Sequence, residues 1–162
     1  MSSAKADAIR LARDIRQQYC TENQPLADVF QKIFDEKNIT LEYDVQGELT
    51  ECFPGKNPGE TSWQITLPYG TSAARDNFTI AHELGHIFLK HPLDRDNRIA
   101  RSGLSTLTEV AANAFAAEFL MPEDEFRKEA QRCGNNERVL AEKFSVSQSA
   151  ALIRMIALGI IS

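Results

Sequence analysis

The spacing of apolar and polar residues divides the chain into helical regions separated by one short extended region. Between the first two helical regions, alternating and β-branched residues predict a small sheet. We therefore expect an α+β fold, in which a small antiparallel sheet packs against a helical core and the last two helices form a helix-turn-helix-like pair. A period near 3.6 predicts the helical regions, which span 4–37, 71–91, 108–121 and 123–160.

The extended region, 39–67, contains three strand candidates, at 39–45, 49–53 and 62–67. Prolines and glycines between the last two mark a turn rather than a domain linker, which favours an antiparallel meander. In a meander the strand 62–67 lies at an edge, where its backbone could bind an extended peptide. The alternative is that Trp63 and Ile65 simply pack in the sheet core.

Length and composition describe one ordinary globular domain. The chain has 162 residues, 43% of them hydrophobic, so a hydrophobic core can form without disulfides or structural metals. Residues 1–162 are expected to form a single domain. Cys20, Cys52 and Cys133 are odd in number and lack a Cys-x-x-Cys spacing, which favours free thiols in a reducing compartment. No secretory or membrane-spanning pattern is evident, so we predict a cytoplasmic protein without a membrane partner.

The charge balance bears on nucleic-acid binding. A formal net charge of −5 and a pI near 5.2 lack the basic footprint of a general nucleic-acid binder, so strong binding of this kind is not expected. The predicted helix pair 137–144 and 147–158 nevertheless has helix-turn-helix spacing, with Ser147 as a cap. A DNA-binding or metal-sensing regulatory module therefore stays an alternative, although Gln148 and Arg154 offer few phosphate contacts.

The helix predicted over 71–91 contains the pattern His82-Glu83-Leu84-Gly85-His86. Positions i and i+4 lie on the same side of a helix, so both imidazoles can bind one metal ion. Glu83 lies about 100° around the axis, where it can act as general base toward a water near that ion. Zinc held by three protein ligands activates water near neutral pH, and the pattern therefore predicts a Zn²⁺ hydrolase site.

The flanking residues agree with a helix. Ile80, Leu84, Ile87 and Phe88 form an apolar stripe, and the two histidines are expected on the opposite side, lining a cleft. Candidate caps at the start are Thr71 and Ser72, and Pro92 ends the pattern.

The third ligand is not a histidine in metzincin register, because Pro92 occupies that position. His91 is one residue early, and an interaction with the last helix carbonyls explains it better than metal binding. A carboxylate on the alanine-rich helix 108–121 is therefore expected, and Glu109 and Glu118 compete for the role. The small side chains of this helix, together with Gly85, would permit a close approach of the two helices.

Two interpretations of Glu109 give opposite expectations. Asn113 lies four residues later on the same face, so Glu109 could bind the metal while Asn113 hydrogen-bonds a ligand. Alternatively, Thr106-x-x-Glu109 fits a capping box, in which the glutamate only closes the helix start.

Taken together, two motifs resemble the ImmA/IrrE metallopeptidase family. The first runs from Arg75 through His86, and the second contains Glu109-x-x-Ala-Asn113 and ends in Leu-Met-Pro122. The resemblance implies a gluzincin-like zinc site, with His82, His86 and Glu109 as ligands and Glu83 as catalytic base. It also implies a protein substrate, typically a helix-turn-helix transcriptional repressor in a bacterial, phage or mobile-element stress or induction circuit.

The sequence leaves the oxyanion donor and the catalytic status of the site undecided. The donor that stabilises the developing oxyanion could be Tyr69, Arg75 or His91, and each has an ordinary structural role available. The same zinc site could also belong to a non-catalytic interaction partner, although an intact Glu83 between the histidines argues for hydrolysis.

Overall fold

The computed structural model describes residues 3–100 and 106–162, which contain seven helices and a three-stranded sheet. The α+β class is therefore confirmed. In chain order the elements are α1 (Ala4–Tyr19), α2 (Leu26–Lys37), β1 (Ile39–Asp44), β2 (Leu49–Pro54), β3 (Thr61–Pro68), α3 (Ala73–Phe88), α4 (Thr106–Leu120), α5 (Glu123–Cys133), α6 (Glu137–Phe144) and α7 (Gln148–Ala157).

Local capping chemistry sets the ends of α3. Of the two candidate caps, Ser72 is the N-cap, and its hydroxyl oxygen accepts a hydrogen bond from the Arg75 backbone N–H at 3.2 Å. The neighbouring Thr71 hydroxyl donates to Asp76 instead. At the other end α3 stops at Phe88, before the predicted end near Pro92.

The sheet is mixed, and the predicted antiparallel meander is wrong. The strand order is β1-β3-β2, with β1 parallel to β3 and β2 antiparallel to it. The physical reason is burial: β3 carries the consecutive buried residues Ile65, Thr66 and Leu67, and a strand of this kind is most stable at the centre, where both edges are paired.

This topology removes the predicted peptide-docking role of 62–67, because β3 has no open edge within its paired residues. The outer edge of β2 is also covered in part. Asn97 accepts a hydrogen bond from the Cys52 backbone N–H at 2.8 Å, and the Ile99 N–H donates to the Thr50 carbonyl at 3.0 Å. The segment that follows α3 thus extends the sheet beside Thr50.

The alanine-rich α4 is the central helix of the core, with α1 on one side and α3 on the other. Eight of its residues are buried, as expected for a helix that is apolar around its circumference. Phe115 and Phe119 stack within it with ring centroids 5.9 Å apart.

The C-terminal pair α6 and α7 has the predicted spacing, and Ser147 caps α7 by accepting a hydrogen bond from the Ala150 N–H at 3.0 Å. Its surface is unlike that of a DNA-reading helix. Arg154 is buried and donates to the Met121 carbonyl, whereas Ile153 and Ile156 are exposed. Within 3–100 and 106–162, no helix has both the length and the apolar content needed to cross a bilayer.

Candidate metal centre

The close approach of α3 and α4 brings the two sequence motifs together. Gly85 makes this possible: a Cβ atom at that position would lie 3.1 Å from the Ala112 carbonyl oxygen and 3.2 Å from the Phe115 Cβ. A glycine facing an alanine lets the two helix backbones approach more closely than larger side chains allow. The first turn of α4 is thereby held against the His82–His86 side of α3.

Three side chains converge at this helix contact. The Nε2 atoms of His82 and His86 are 3.0 Å apart, and the Glu109 carboxylate lies 3.2 Å from the first and 3.0 Å from the second. Their ligand atoms all lie within 4.8 Å of one another, which is close enough to hold one metal ion.

The orientation of Glu109 bears on the capping-box alternative. Thr106 lies within α4 and does not precede it, and the Glu109 carboxylate lies within 3.2 Å of both imidazoles. The geometry therefore supports the ligand interpretation. The predicted role of Glu118 as a competing ligand finds no support, since Glu118 lies about 180° around α4.

The histidine face of α3 is more buried than its pattern predicted. His86 is fully buried, although both histidines were expected to line a cleft. The reason is that α4 covers this face. The opening to solvent lies on the other side of the group, where the Glu109 side chain is 39% exposed.

Each imidazole also makes a contact through its Nδ1 atom. His82 Nδ1 lies 2.7 Å from Asn113 Oδ1, which is the pairing that the shared face of Glu109 and Asn113 predicted. His86 Nδ1 lies 2.6 Å from His91 Nδ1, a contact that the sequence analysis missed. Burial lowers the pKa of the His91 imidazole, which favours its neutral form.

These contacts allow a test of whether the residues suit a metal. Because Asn113 Oδ1 is an acceptor, His82 carries its proton on Nδ1 and presents a lone pair at Nε2. Lone pairs of imidazole and carboxylate at about 3 Å repel one another unless a proton or a metal ion lies among them, and a metal ion can satisfy all three at once. Two imidazole nitrogens and one carboxylate oxygen are also the donor set of catalytic zinc sites, so the residues fit the ion.

Glu83 is positioned by the sheet. The Thr50 hydroxyl, on β2, donates to Glu83 Oε2, and both residues are buried. This hydrogen bond fixes the orientation of the carboxylate and connects α3 to the sheet. Sequence analysis missed Thr50, whose signal was only a polar residue at an inward-facing strand position.

The three oxyanion candidates lie in different places. Tyr69 is 65% exposed and stacks on Tyr43, and Arg75 lies in the first turn of α3, about 10 Å along the axis from His82. The ring of His91 faces His86. The assignment of an oxyanion donor therefore stays a prediction.

A His-Glu-x-x-His helix that receives a glutamate from a second helix is the arrangement of zinc metallopeptidases. Residues 28–155 match the family model Peptidase_M78, described as the IrrE N-terminal-like domain. The chain therefore belongs to this peptidase family, and the resemblance drawn from the sequence is confirmed.

A solved structure shares the fold. It is described as a Mycobacterium tuberculosis transcriptional regulator, and it matches with a TM-score of 0.57 at 17% sequence identity. The match covers 92% of this chain but 46% of the regulator, so the chain spans less than half of that protein's length. No curated protein matches the chain.

Proposed function

We propose that this chain is a zinc-dependent metalloendopeptidase in which His82, His86 and Glu109 hold the ion and Glu83 is the catalytic base. The observation that carries the proposal is the convergence of the three donor side chains around the Nε2 atoms of the two histidines. Membership of a peptidase family supports it independently. Zinc in such a site supplies Lewis acidity, which makes water nucleophilic near neutral pH and polarises a peptide carbonyl.

The chain's own residues have separable tasks in this reaction. Glu83 takes the proton of the attacking water on a carboxylate oxygen and then delivers it to the leaving amine. Thr50 holds that carboxylate in one orientation through its hydroxyl. Asn113 fixes the His82 ring, so the lone pair of Nε2 is directed into the site. The exposed side of Glu109 leaves an approach for substrate.

The substrate class we propose is a transcriptional repressor of the helix-turn-helix type, cleaved in the cytoplasm. The family resemblance supports a regulatory protein as substrate, and the description of the solved neighbour as a transcriptional regulator agrees with a role in gene control. The three cysteines form no disulfide, which supports a reducing compartment. The single proposed domain would contain the whole catalytic site.

Incubation of the purified protein with candidate repressors, followed by mass spectrometry, tests this function. We expect defined fragments with zinc, none with a chelator, and recovery when zinc is restored. Glu83→Gln should cut at least about 10²-fold more slowly while retaining zinc, because the base is lost and the imidazoles are untouched.

The matched control is Glu142→Gln, which makes the same chemical change at an exposed residue of α6 and should cut like the parent. Zinc binding with no cleavage of any candidate would favour a non-catalytic interaction partner. Equal cleavage by Glu83→Gln and the parent would show that Glu83 is not the base.

A further inference from the structure

His86 uses both of its ring nitrogens. Its Nε2 atom faces Glu109 and His82 at 3.0 Å, and its Nδ1 atom lies 2.6 Å from Nδ1 of His91. The two rings meet edge to face, with centroids 4.9 Å apart and planes inclined by 68°. Two imidazole nitrogens at this distance must share a proton, so one ring donates and the other accepts.

The direction of that hydrogen bond follows from the proposed metal site, on which this inference rests. An imidazole that gives its Nε2 lone pair to a metal keeps its proton on Nδ1. His86 is therefore the donor and His91 Nδ1 is the acceptor, with the His91 proton on Nε2. We propose that His91 is a positioning residue, which sets the tautomer and ring orientation of the metal ligand His86.

The backbone places His91 there. Lys90 adopts a left-handed conformation, φ 56°, immediately after the C-cap Leu89. The Lys90 N–H donates to the Ile87 carbonyl at 3.1 Å, and the His91 N–H donates to the His86 carbonyl at 3.0 Å. These two bonds form a Schellman motif. In this motif the second residue after the C-cap packs on the residue three positions before the C-cap, which here pairs His91 with His86.

That motif normally joins two apolar side chains, whereas here it joins two imidazoles. The pairing fits the burial of the site. His86 is fully buried, so no solvent reaches its N–H, which needs an acceptor supplied by the chain. His82, which is 14% exposed, has the amide of Asn113 for the same purpose.

Two substitutions at position 91 test the inference. His91→Phe keeps a ring but removes the acceptor, whereas the side-chain oxygen of His91→Asn can occupy the place of Nδ1. We expect the first to weaken zinc binding 10- to 100-fold in a chelator competition, and the second to restore most of the affinity. Thermal unfolding in excess chelator separates this loss from a change in the stability of the metal-free fold.

Nuclear magnetic resonance of the zinc-loaded parent gives a readout that a purely structural role would not produce. We expect a protected Nδ1–H proton on His86, with ¹⁵N–¹⁵N coupling across the hydrogen bond to His91. The matched control is Asn113→Leu, which should weaken zinc binding through His82 and leave the His86 proton and its coupling in place.

Zinc bound by a parent that lacks the coupling, or unchanged zinc affinity in His91→Phe, would overturn the role of His91 and leave the proposed peptidase intact. A parent that binds no zinc would overturn the proposed function itself.

Discussion

The two glutamates of α4, Glu109 and Glu118, lie nine residues apart on opposite sides of one helix, and their surroundings differ in kind. Glu118 is 4% exposed and sits between two cations, with Arg13 at 2.9 Å and Arg154 at 2.5 Å. Glu109 is 39% exposed and faces the two imidazoles of the candidate metal centre.

The difference shows how to separate a structural carboxylate from a ligand on an apolar helix. A buried carboxylate is stable only when its charge is compensated, and the Glu118 charge is already met by arginine within the fold. Glu109 instead contacts two imidazole nitrogens, which present lone pairs in the tautomers proposed here and therefore suit a shared metal ion. The two residues thus differ both in the side of the helix they occupy and in the groups they contact.

The strongest way to break the comparison is to make the same substitution at both positions. Glu109→Gln removes an anionic ligand, and we expect zinc affinity to fall by more than about 100-fold, beyond the usual effect of losing a partner outside the ligand set. Chelator competition measures it. As a helix cap, glutamine would replace glutamate almost without effect, so unchanged affinity would restore the capping-box interpretation.

Glu118→Gln is the matched control. Zinc affinity of the folded variant should equal that of the parent, because Glu118 lies on the far side of α4. The free energy of unfolding, measured by denaturant titration, should instead fall by about 3 kcal/mol, because buried Arg154 loses its counter-charge. A loss of zinc in this variant alone would reverse the assignment of the two glutamates.

A smaller effect is expected at the contact between Gly85 of α3 and α4, which holds Glu109 near the histidines. Gly85→Ala places a Cβ atom 3.1 Å from the Ala112 carbonyl oxygen, so α3 and α4 must move apart. We expect the free energy of unfolding to fall by about 1–3 kcal/mol and zinc affinity to fall roughly 10-fold.

Elsewhere in a helix the same substitution would stabilise by about 1 kcal/mol. A more stable Gly85→Ala variant with parental zinc affinity would therefore show that the contact between α3 and α4 can accommodate a methyl group at this position.

The smallest effect concerns the general base rather than the metal. Thr50→Val keeps the shape of the side chain but removes the hydroxyl that donates to Glu83. We expect kcat to fall roughly 10-fold, which is less than the factor of about 10² or more expected for loss of the base itself, with zinc affinity unchanged. Thr50→Ser retains the donor and should keep most of the activity. Steady-state kinetics on a cleaved substrate measures both variants, and equal kcat values for Thr50→Val and Thr50→Ser would contradict a role of the Thr50 hydroxyl in positioning Glu83.

Much of this arrangement could be read from the sequence because it depends on local periodicity. The helix and strand positions follow from apolar spacing, and the Gly85 contact follows from small residues facing each other. The sheet order could not be read in this way, because strands adjacent in sequence need not pair. Burial along β3 decided which strand took the centre.

Contacts across the fold were the other limit. Thr50 reaches Glu83 over 33 positions, so no spacing rule could join them. The contact between His91 and His86 is more local, since the two residues are five positions apart at a helix end. Its role depends on the left-handed turn at Lys90, and lysine, unlike glycine, gives no signal for that conformation.

Anomalous X-ray diffraction at the zinc edge, from crystals of the parent protein grown with zinc, tests the central claim most directly. We expect one strong peak, bounded by the Nε2 atoms of His82 and His86 and by the Glu109 carboxylate. An ion bound elsewhere, or a peak at the histidines that lacks Glu109 as a ligand, would contradict it.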